Sequence, residues 1–406
     1  MNTEFPPRLA TLLLCDPAGD LLGTLPPFHV ELPWWQDVAG VVVGARERFG
    51  VEVTVLRLAE AATGWGTAGG PVTYLVEVTA APETGLAPWS GDDPLGEHPL
   101  RLPYARPGGP AADLAWADAA LAAAGRPRTG PAEQMRTWNL SSIWRLPTAG
   151  GPTWLKVVPP FFAHEGAMLG RLDPAVVPPL VATEGPRVLL ADVPGDDHWG
   201  AELPVLRRLV EMLVGLQASW SGRIGELEEL GAPDWRAPTF VPAAERLLVL
   251  TEPELDGDTV ARLAVLVDGL PERFGAVAEC GLPATLVHGD FHPGNSRGSA
   301  ADDGRSVLLD WGDCGIGHPL LDQAASLASI RADQRDELRA HWSGLWRSAV
   351  PRSDPDRAAG LLEPVAALQR ALVYRSFLEA VEPSEHVYHS GDPAHWLRRA
   401  AVAMEA

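Results

Sequence analysis

Residues 135–158 constrain this fold more than any other stretch. "MRTWNLS", "SIWRLPT" and "TWLKVVP" are three short runs rich in β-branched and aromatic residues, joined by tight turns such as "TAGG". Runs of this kind predict an antiparallel meander. A short helix is expected over "FAHEGAMLGRL", then another strand at "RVLLADV". From about residue 203 onward helices dominate. "PVLRRLVEMLVGLQ" carries Leu206, Leu209, Leu213 and Leu216 at helical spacing, with Pro204 suited to its first turn. The pattern is a small β-rich lobe followed by a larger helical one.

"AAAGRPRTGPAEQ" marks the clearest boundary in the chain. A helical pattern, "AADLAWADAALAAAG", stops at Gly125, and Pro and Gly follow. The expected division is an N-terminal α/β domain over 1–125, a linker over 126–134, a β-rich lobe over 135–195 and a helical lobe over 196–406. Within the first domain "RLATLLL", "LLGTLPPFHVEL" and "PVTYLVEVTA" read as strands, and "WQDVAGVVVGARERFG" as a helix ended by Gly50. Residues 81–103 read as a loop. The overall class is α+β.

Composition narrows the partners. With 53 acidic and 32 basic residues the net charge is −21, which argues against a nucleic acid or an anionic membrane and favours a cationic or neutral small substrate. No run approaches a membrane span. "RLATLLLC" is too short for a signal and reads as a strand. Cys15, Cys280 and Cys314 lie far apart without metal spacing, which fits reduced thiols in a cytosol.

Of the 32 basic residues, Lys156 is the only lysine. In the helix that follows it, Phe161, Glu165, Met168, Leu169 and Leu172 share one face. A carboxylate on an apolar stripe needs a cation, and Lys156 is the natural partner. Such a pair positions something anionic. Lysine suits that task as a compact charge on a flexible stem. The competing account makes Lys156 a snorkelling edge residue and Glu165 a helix-start residue.

The decisive stretch is "LVHGDFHPGN", in which Asp290 and Asn295 stand in D-x4-N spacing. A polar turn follows, and "VLLDWGD" then delivers Asp310 at the end of an apolar strand. Phosphoryl transfer needs this set. One Asp accepts or orients the hydroxyl proton, and Asn with a second Asp holds Mg²⁺ on the nucleotide phosphates. The order strand Lys, helix Glu, base Asp, Asn, metal Asp is that of a kinase-like fold.

From "HGDFHPGN" and "LLDWGDCGIGHPLLDQA", residues 135 to about 400 resemble the aminoglycoside phosphotransferase family of kinase-fold small-molecule kinases. The resemblance implies a two-lobe, protein-kinase-like fold that uses ATP, or GTP in its place, with Mg²⁺. Asp290 would be the catalytic base, Asn295 and Asp310 the metal ligands. Lys156 would lie on the nucleotide phosphates, oriented by Glu165. His288 would hold the catalytic loop and Asp322 would brace it. "VLLADVPG" matches the hinge, where the backbone of Ala191 and Val193 would bond the adenine.

There are departures. "NLSS" lacks the glycines of a protein-kinase phosphate loop. Ser141 and Ser142 are candidates for a phosphate contact, although strand-turn polarity also accounts for them. "DWGD" replaces "DFG", and no long activation loop follows. A small-molecule hydroxyl acceptor is therefore expected, rather than a protein.

His288 and His292 form an H-x3-H pair around Asp290, but no further cluster completes a transition-metal site. Trp199 and Trp220, with Asp196, Asp197, Glu226, Glu228 and Glu229, form either a pocket for a cationic sugar or a solvated acidic face. Glu379 and Glu382 are candidates for an acceptor pocket closed by the C-terminal stretch. A pseudokinase that binds nucleotide without turnover is the alternative function. Residues 1–125 resemble a Nudix-type hydrolase whose signature helix would fall on "GVVVGARERFGVEV". Glu47 remains there, while Val43, Gly44 and Arg48 stand where catalytic residues would be expected. That implies a scaffold without its hydrolytic centre, kept for capping, recognition or dimerisation.

Overall fold

The computed structural model describes residues 6–61, 68–80, 82, 85–299 and 305–404. Parts of the 81–103 loop and of the turn before Asp310, residues 81, 83, 84 and 300–304, lie outside that set. The chain divides into two compact units. One comprises residues 1–163, 180–192 and 377–390; the other comprises 164–179, 193–376 and 391–406.

The first unit holds two sheets. Strands β1 (Arg8–Cys15), β2 (Leu21–Val30), β3 (Val53–Ala61) and β4 (Gly70–Val78) lie in the order β2-β1-β4-β3. The central pair, β1 and β4, is parallel and the outer pairs are antiparallel. Alternation along β1 sends Leu12 and Leu14 to one core and Leu13 and Cys15 to another, as a period of two requires. Helix α1 (Ala39–Phe49) adds Val41 and Ala45 to the first of these cores and stops at Gly50, which adopts φ 65°. Gly44 has a packing reason: a Cβ there would stand 2.4 Å from the ring of Phe28.

The second sheet is the meander expected from the sequence, extended by a hairpin. Strands β5 (Glu133–Trp138), β6 (Ser141–Leu146), β7 (Thr153–Val157), β8 (Leu180–Glu184) and β9 (Arg187–Ala191) run in the order β5-β6-β7-β9-β8. Helix α2 (Gly109–Ala123) packs Ala117 and Leu121 against Leu146, Leu155, Val157 and Leu189 of this sheet. The compositional break at 122–134 is therefore not a break in packing. Gln134 reinforces the point, because its amide bonds both the N–H and the C=O of Val55 in β3, at 2.8 and 2.7 Å.

Residues 377–390 complete this unit. Tyr388 lies in the core of the first sheet, edge-on to Trp35 and Trp138. Glu382 is buried, bonded to Arg101 at 2.9 Å and 3.6 Å from Arg57. It is an internal counter-ion, which corrects its reading as an acceptor-pocket residue.

The second unit is mainly helical. After α3 (His164–Leu169) come the two-residue strand β10 (Asp196–Asp197), α4 (Leu203–Trp220), α5 (Ile224–Glu229), α6 (Ala237–Thr251), α7 (Gly257–Asp268) and α8 (Leu270–Glu279). Four short strands carry the polar loops: β11 (Thr285–Val287), β12 (Ser296–Gly298), β13 (Ser306–Leu308) and β14 (Gly315–Gly317). Helices α9 (Leu321–Ala328), α10 (Ala332–Ala349), α11 (Pro355–Ala380) and α12 (Asp392–Ala403) close the chain, the last turn of α11 belonging to the first unit. The leucines predicted for α4 are all buried. No described helix is long and apolar enough to cross a membrane.

Candidate active site

Strand β11 ends at Val287, and the loop after it turns on Gly289 at φ 84°, where a Cβ would stand 2.1 Å from the carbonyl oxygen of Asp313. Only glycine fits that approach. Asp290 follows, partly exposed. Asn295 turns back toward it, and its amide Nδ2 donates to the Asp290 carbonyl and to Asp290 Oδ2, both at 2.9 Å. With its donor spent on Asp290, the amide of Asn295 directs Oδ1 elsewhere, as a metal ligand must. The Asn295 carbonyl accepts from Leu309 N at 2.8 Å, and β12 pairs with β13 just beyond it. Asp310, the residue after Leu309, is thereby brought beside Asn295. Asp310 is exposed and sits at φ 60°, a left-handed conformation costing about 1–3 kcal/mol for such a residue and common at functional sites.

Two buried side chains hold this arrangement. His288 Nε2 donates to the Leu309 carbonyl at 2.9 Å and Nδ1 accepts from Asp290 N at 3.3 Å. Burial pushes this imidazole down to about 4, so it stays neutral and keeps that tautomer. Asp322, at the start of α9, accepts from His288 N at 2.9 Å, Gly289 N at 2.8 Å and Gln217 Nε2 at 2.8 Å. Burial outweighs these bonds and pushes the carboxyl up to about 7.

The sequence reading missed Arg370. This α11 residue reaches Asp290 Oδ1 at 2.5 Å and the Gly289 carbonyl at 3.0 Å. His292 lies 3.5 Å from Asp290 Oδ2. Burial alone would raise the Asp290 carboxyl, but Arg370 and His292 prevail and hold it well below the usual carboxylate range. Nothing in the spacing marks Arg370, one of 31 arginines and 80 residues away. His292 also stacks on Trp199, with ring centroids 4.8 Å apart, and Trp199 is 55% exposed. Gly294 admits the indole, since a Cβ there would stand 2.2 Å from Trp199 Nε1. Among the described residues no cluster of His, Cys, Asp or Glu forms a metal site.

The remaining predicted residues are placed as follows. Lys156 lies in β7, in register with Ile143 and Val188, on the face opposite Leu155 and Val157. Glu165 opens α3, is 1% exposed, and accepts from Trp311 N at 3.2 Å. The two residues belong to different units. Ala191 ends β9, paired with Thr153. The Val193 carbonyl accepts from Arg297 at 2.7 Å. Ser141 and Ser142 are buried and accept from the indoles of Trp138 and Trp144, which accounts for their polarity without a phosphate. Trp220 is core, and the acidic residues near it are largely paired: Glu226 with Arg223, Glu228 with Arg236.

Residues 137–361, more than half of the chain, match the phosphotransferase enzyme family (APH). The chain belongs to this family, and is a small-molecule kinase that phosphorylates an alcohol group. The match does not reach the N-terminal region, and nothing supports its likeness to Nudix hydrolases. No curated protein matches the chain. Among solved structures it is similar to a macrolide 2'-phosphotransferase from Brachybacterium faecium, at 16% identity and a TM-score of 0.48 over 72% of this chain and 97% of that one. A choline kinase from Cryptosporidium parvum gives 11% and 0.46, over 68% and 90%. An ethanolamine kinase from Plasmodium vivax gives 11% and 0.47, over 67% and 81%.

Proposed function

We propose that the protein transfers the γ-phosphate of ATP·Mg²⁺ to a hydroxyl of a small polar, cationic molecule of the aminoglycoside or amino-sugar type, in the cytoplasm. The observation that carries this reading is the Asp290–Asn295–Leu309 bonding, which holds a base carboxylate, an amide oxygen and Asp310 together on two loops. That donor set of hard oxygens suits Mg²⁺, with Asn295 and Asp310 as the ligands. The metal, when bound, neutralises charge on the phosphate oxygens.

Asp290 aligns the acceptor hydroxyl. With Arg370 on Oδ1 its carboxylate is a weak base, so it orients the O–H and takes its proton late, as a loose transition state permits. Lys156 is assigned to the nucleotide phosphates. The N–H of Val193 and the backbone of Ala191 bond the adenine. Exposed Trp199 next to His292, with Asp196 and Asp197 beside it, offers an aromatic face and negative charge suited to an aminated ring. Residues 1–125 serve capping, recognition or dimerisation, with no hydrolytic role. Mg²⁺-dependent hydrolysis of a nucleoside diphosphate derivative by an Asp290→Asn chain would overturn that assignment.

The test is transfer from ATP·Mg²⁺ across aminoglycosides, amino sugars, neutral sugars and amino alcohols, read by mass spectrometry, with GTP as competing donor. A gain of one phosphoryl group on an aminated acceptor, absent with Asp290→Asn, supports the proposal. Transfer to neutral sugars alone would remove the cationic assignment. ATP binding with no transfer to any acceptor would favour a nucleotide-binding module.

A further inference from the structure

The second unit contains a cavity of about 730 Å³ between α9, α10, α11 and α12. Asp290, Asn295 and Asp310 do not line it. It reaches the catalytic loop only at Gly289 and through Arg370. Much of its wall is apolar, including Leu321, Leu327, Leu362 and Val402. Its charged residues reverse the sign of the chain. Arg335, Arg339, Arg370, Arg398 and Arg399 line it against Asp356 and Glu363 alone, in a protein of net charge −21. Asp356 is already engaged by Ser343 and Arg347, and Arg370 and Arg339 by Asp290 and Asp336 outside the cavity, which leaves Arg335, Arg398 and Arg399 against Glu363 in its wall. Trp396 stands in the wall with the guanidinium of Arg399 4.8 Å from its ring and that of Arg370 5.6 Å away.

An apolar chamber whose lining cations outnumber its acids fits one ligand chemistry: an apolar body with a carboxylate head, which guanidinium forks bind bidentately.

We propose that this cavity is a second small-molecule site, for a carboxylate with an apolar body, separate from the phosphate acceptor. The proposal stands apart from the reading of the transfer site, because none of the three transfer residues lines the cavity.

The test is calorimetric titration of the full chain with hexanoate, hexan-1-ol and hexylammonium, which share one apolar body. Hexanoate should bind saturably, and at least about tenfold more tightly than the alcohol or the amine, since a charge-assisted bidentate contact is the difference. Gly360, on α11, lines the cavity and has open space where a Cβ would stand. Gly360→Leu should place a branched side chain in the chamber and weaken hexanoate binding. Exposed Arg399→Gln, which leaves the core untouched, should weaken hexanoate and spare hexan-1-ol. No saturable binding of hexanoate, equal or tighter binding of hexylammonium, or hexanoate binding unchanged in both variants would each overturn the proposal.

Discussion

Arg8 in the first unit and Asp322 in the second are both buried charged residues, and they are used in opposite ways. Arg8 is fully buried in β1, and its guanidinium bonds the carbonyls of Leu32, Trp35 and Asp37 and the hydroxyl of Tyr74. Every bond closes the core around itself, and no reactive group is left at the surface. Asp322 also takes three donors, but two of them are the backbone N–H groups of His288 and Gly289, directly before Asp290. Its bonds hold a loop whose next side chain stays partly exposed. The first arrangement stabilises a core and nothing more; the second stabilises a loop that carries an accessible carboxylate.

The comparison can be broken in several ways. Arg8→Met should cost about 3–5 kcal/mol, because three carbonyls and a hydroxyl lose their donor in a dry core. Urea unfolding would measure this, and turnover per folded molecule should be unchanged. A large loss of turnover in the folded fraction would mean that the first-unit core reaches the chemistry.

Asp322→Ala should cost less, about 2–4 kcal/mol for its orphaned donors, yet lower turnover about a hundredfold, as the loop loses its hold on Asp290. A change in stability with normal turnover would reduce Asp322 to a packing residue.

Arg370→Gln should lower turnover about tenfold at neutral pH, on the scale of one lost charge-assisted bond. The Asp290 carboxyl, released from its guanidinium partner, should return toward the ordinary range. The acid limb of the kcat/KM profile should therefore move to higher pH. An unmoved acid limb would show that Arg370 does not set the charge of Asp290.

The smallest effect is the pH dependence of stability. The Asp322 carboxyl is raised from 3.8 to about 7, so its contribution is complete below pH 3.8 and is lost as pH rises through 7. His288 is lowered from 6.5 to about 4, so its contribution is complete above 6.5 and is lost as pH falls through 4. The two slopes oppose each other between about 4 and 6.5. Asp322→Asn should remove the opposing slope, so that the urea midpoint climbs more steeply with pH across that window than it does in wild type. An unchanged slope would contradict the assignment.

The sequence made one region far more legible than the other. D-x4-N followed by a strand ending in Asp is a local pattern, and β11, β12 and β13 carry Asp290, Asn295 and Asp310 on adjoining loops. Arg370 was illegible for the opposite reason: its partner lies across the fold, and nothing near it in the chain distinguishes it. The meander was legible from its turns. The boundary at 122–134 misled in part, because Pro and Gly punctuate the chain without recording what packs on what. The apolar face of α2 does not reveal that it covers the second sheet. Strand β3 went unread, although "VTVLRLAEA" has the residues for it. Glu382 drew attention as an acid near a site, yet Arg57 and Arg101, its partners, lie some 280 residues or more earlier.

One measurement tests the account most directly: phosphoryl transfer from ATP·Mg²⁺ by wild type and Asp290→Asn, with ATP binding followed in parallel by calorimetry. The account predicts ATP binding within a few-fold of wild type, and transfer reduced by about 10²–10⁴-fold, the range for loss of a positioned base. Transfer at the wild-type rate in the variant would contradict it.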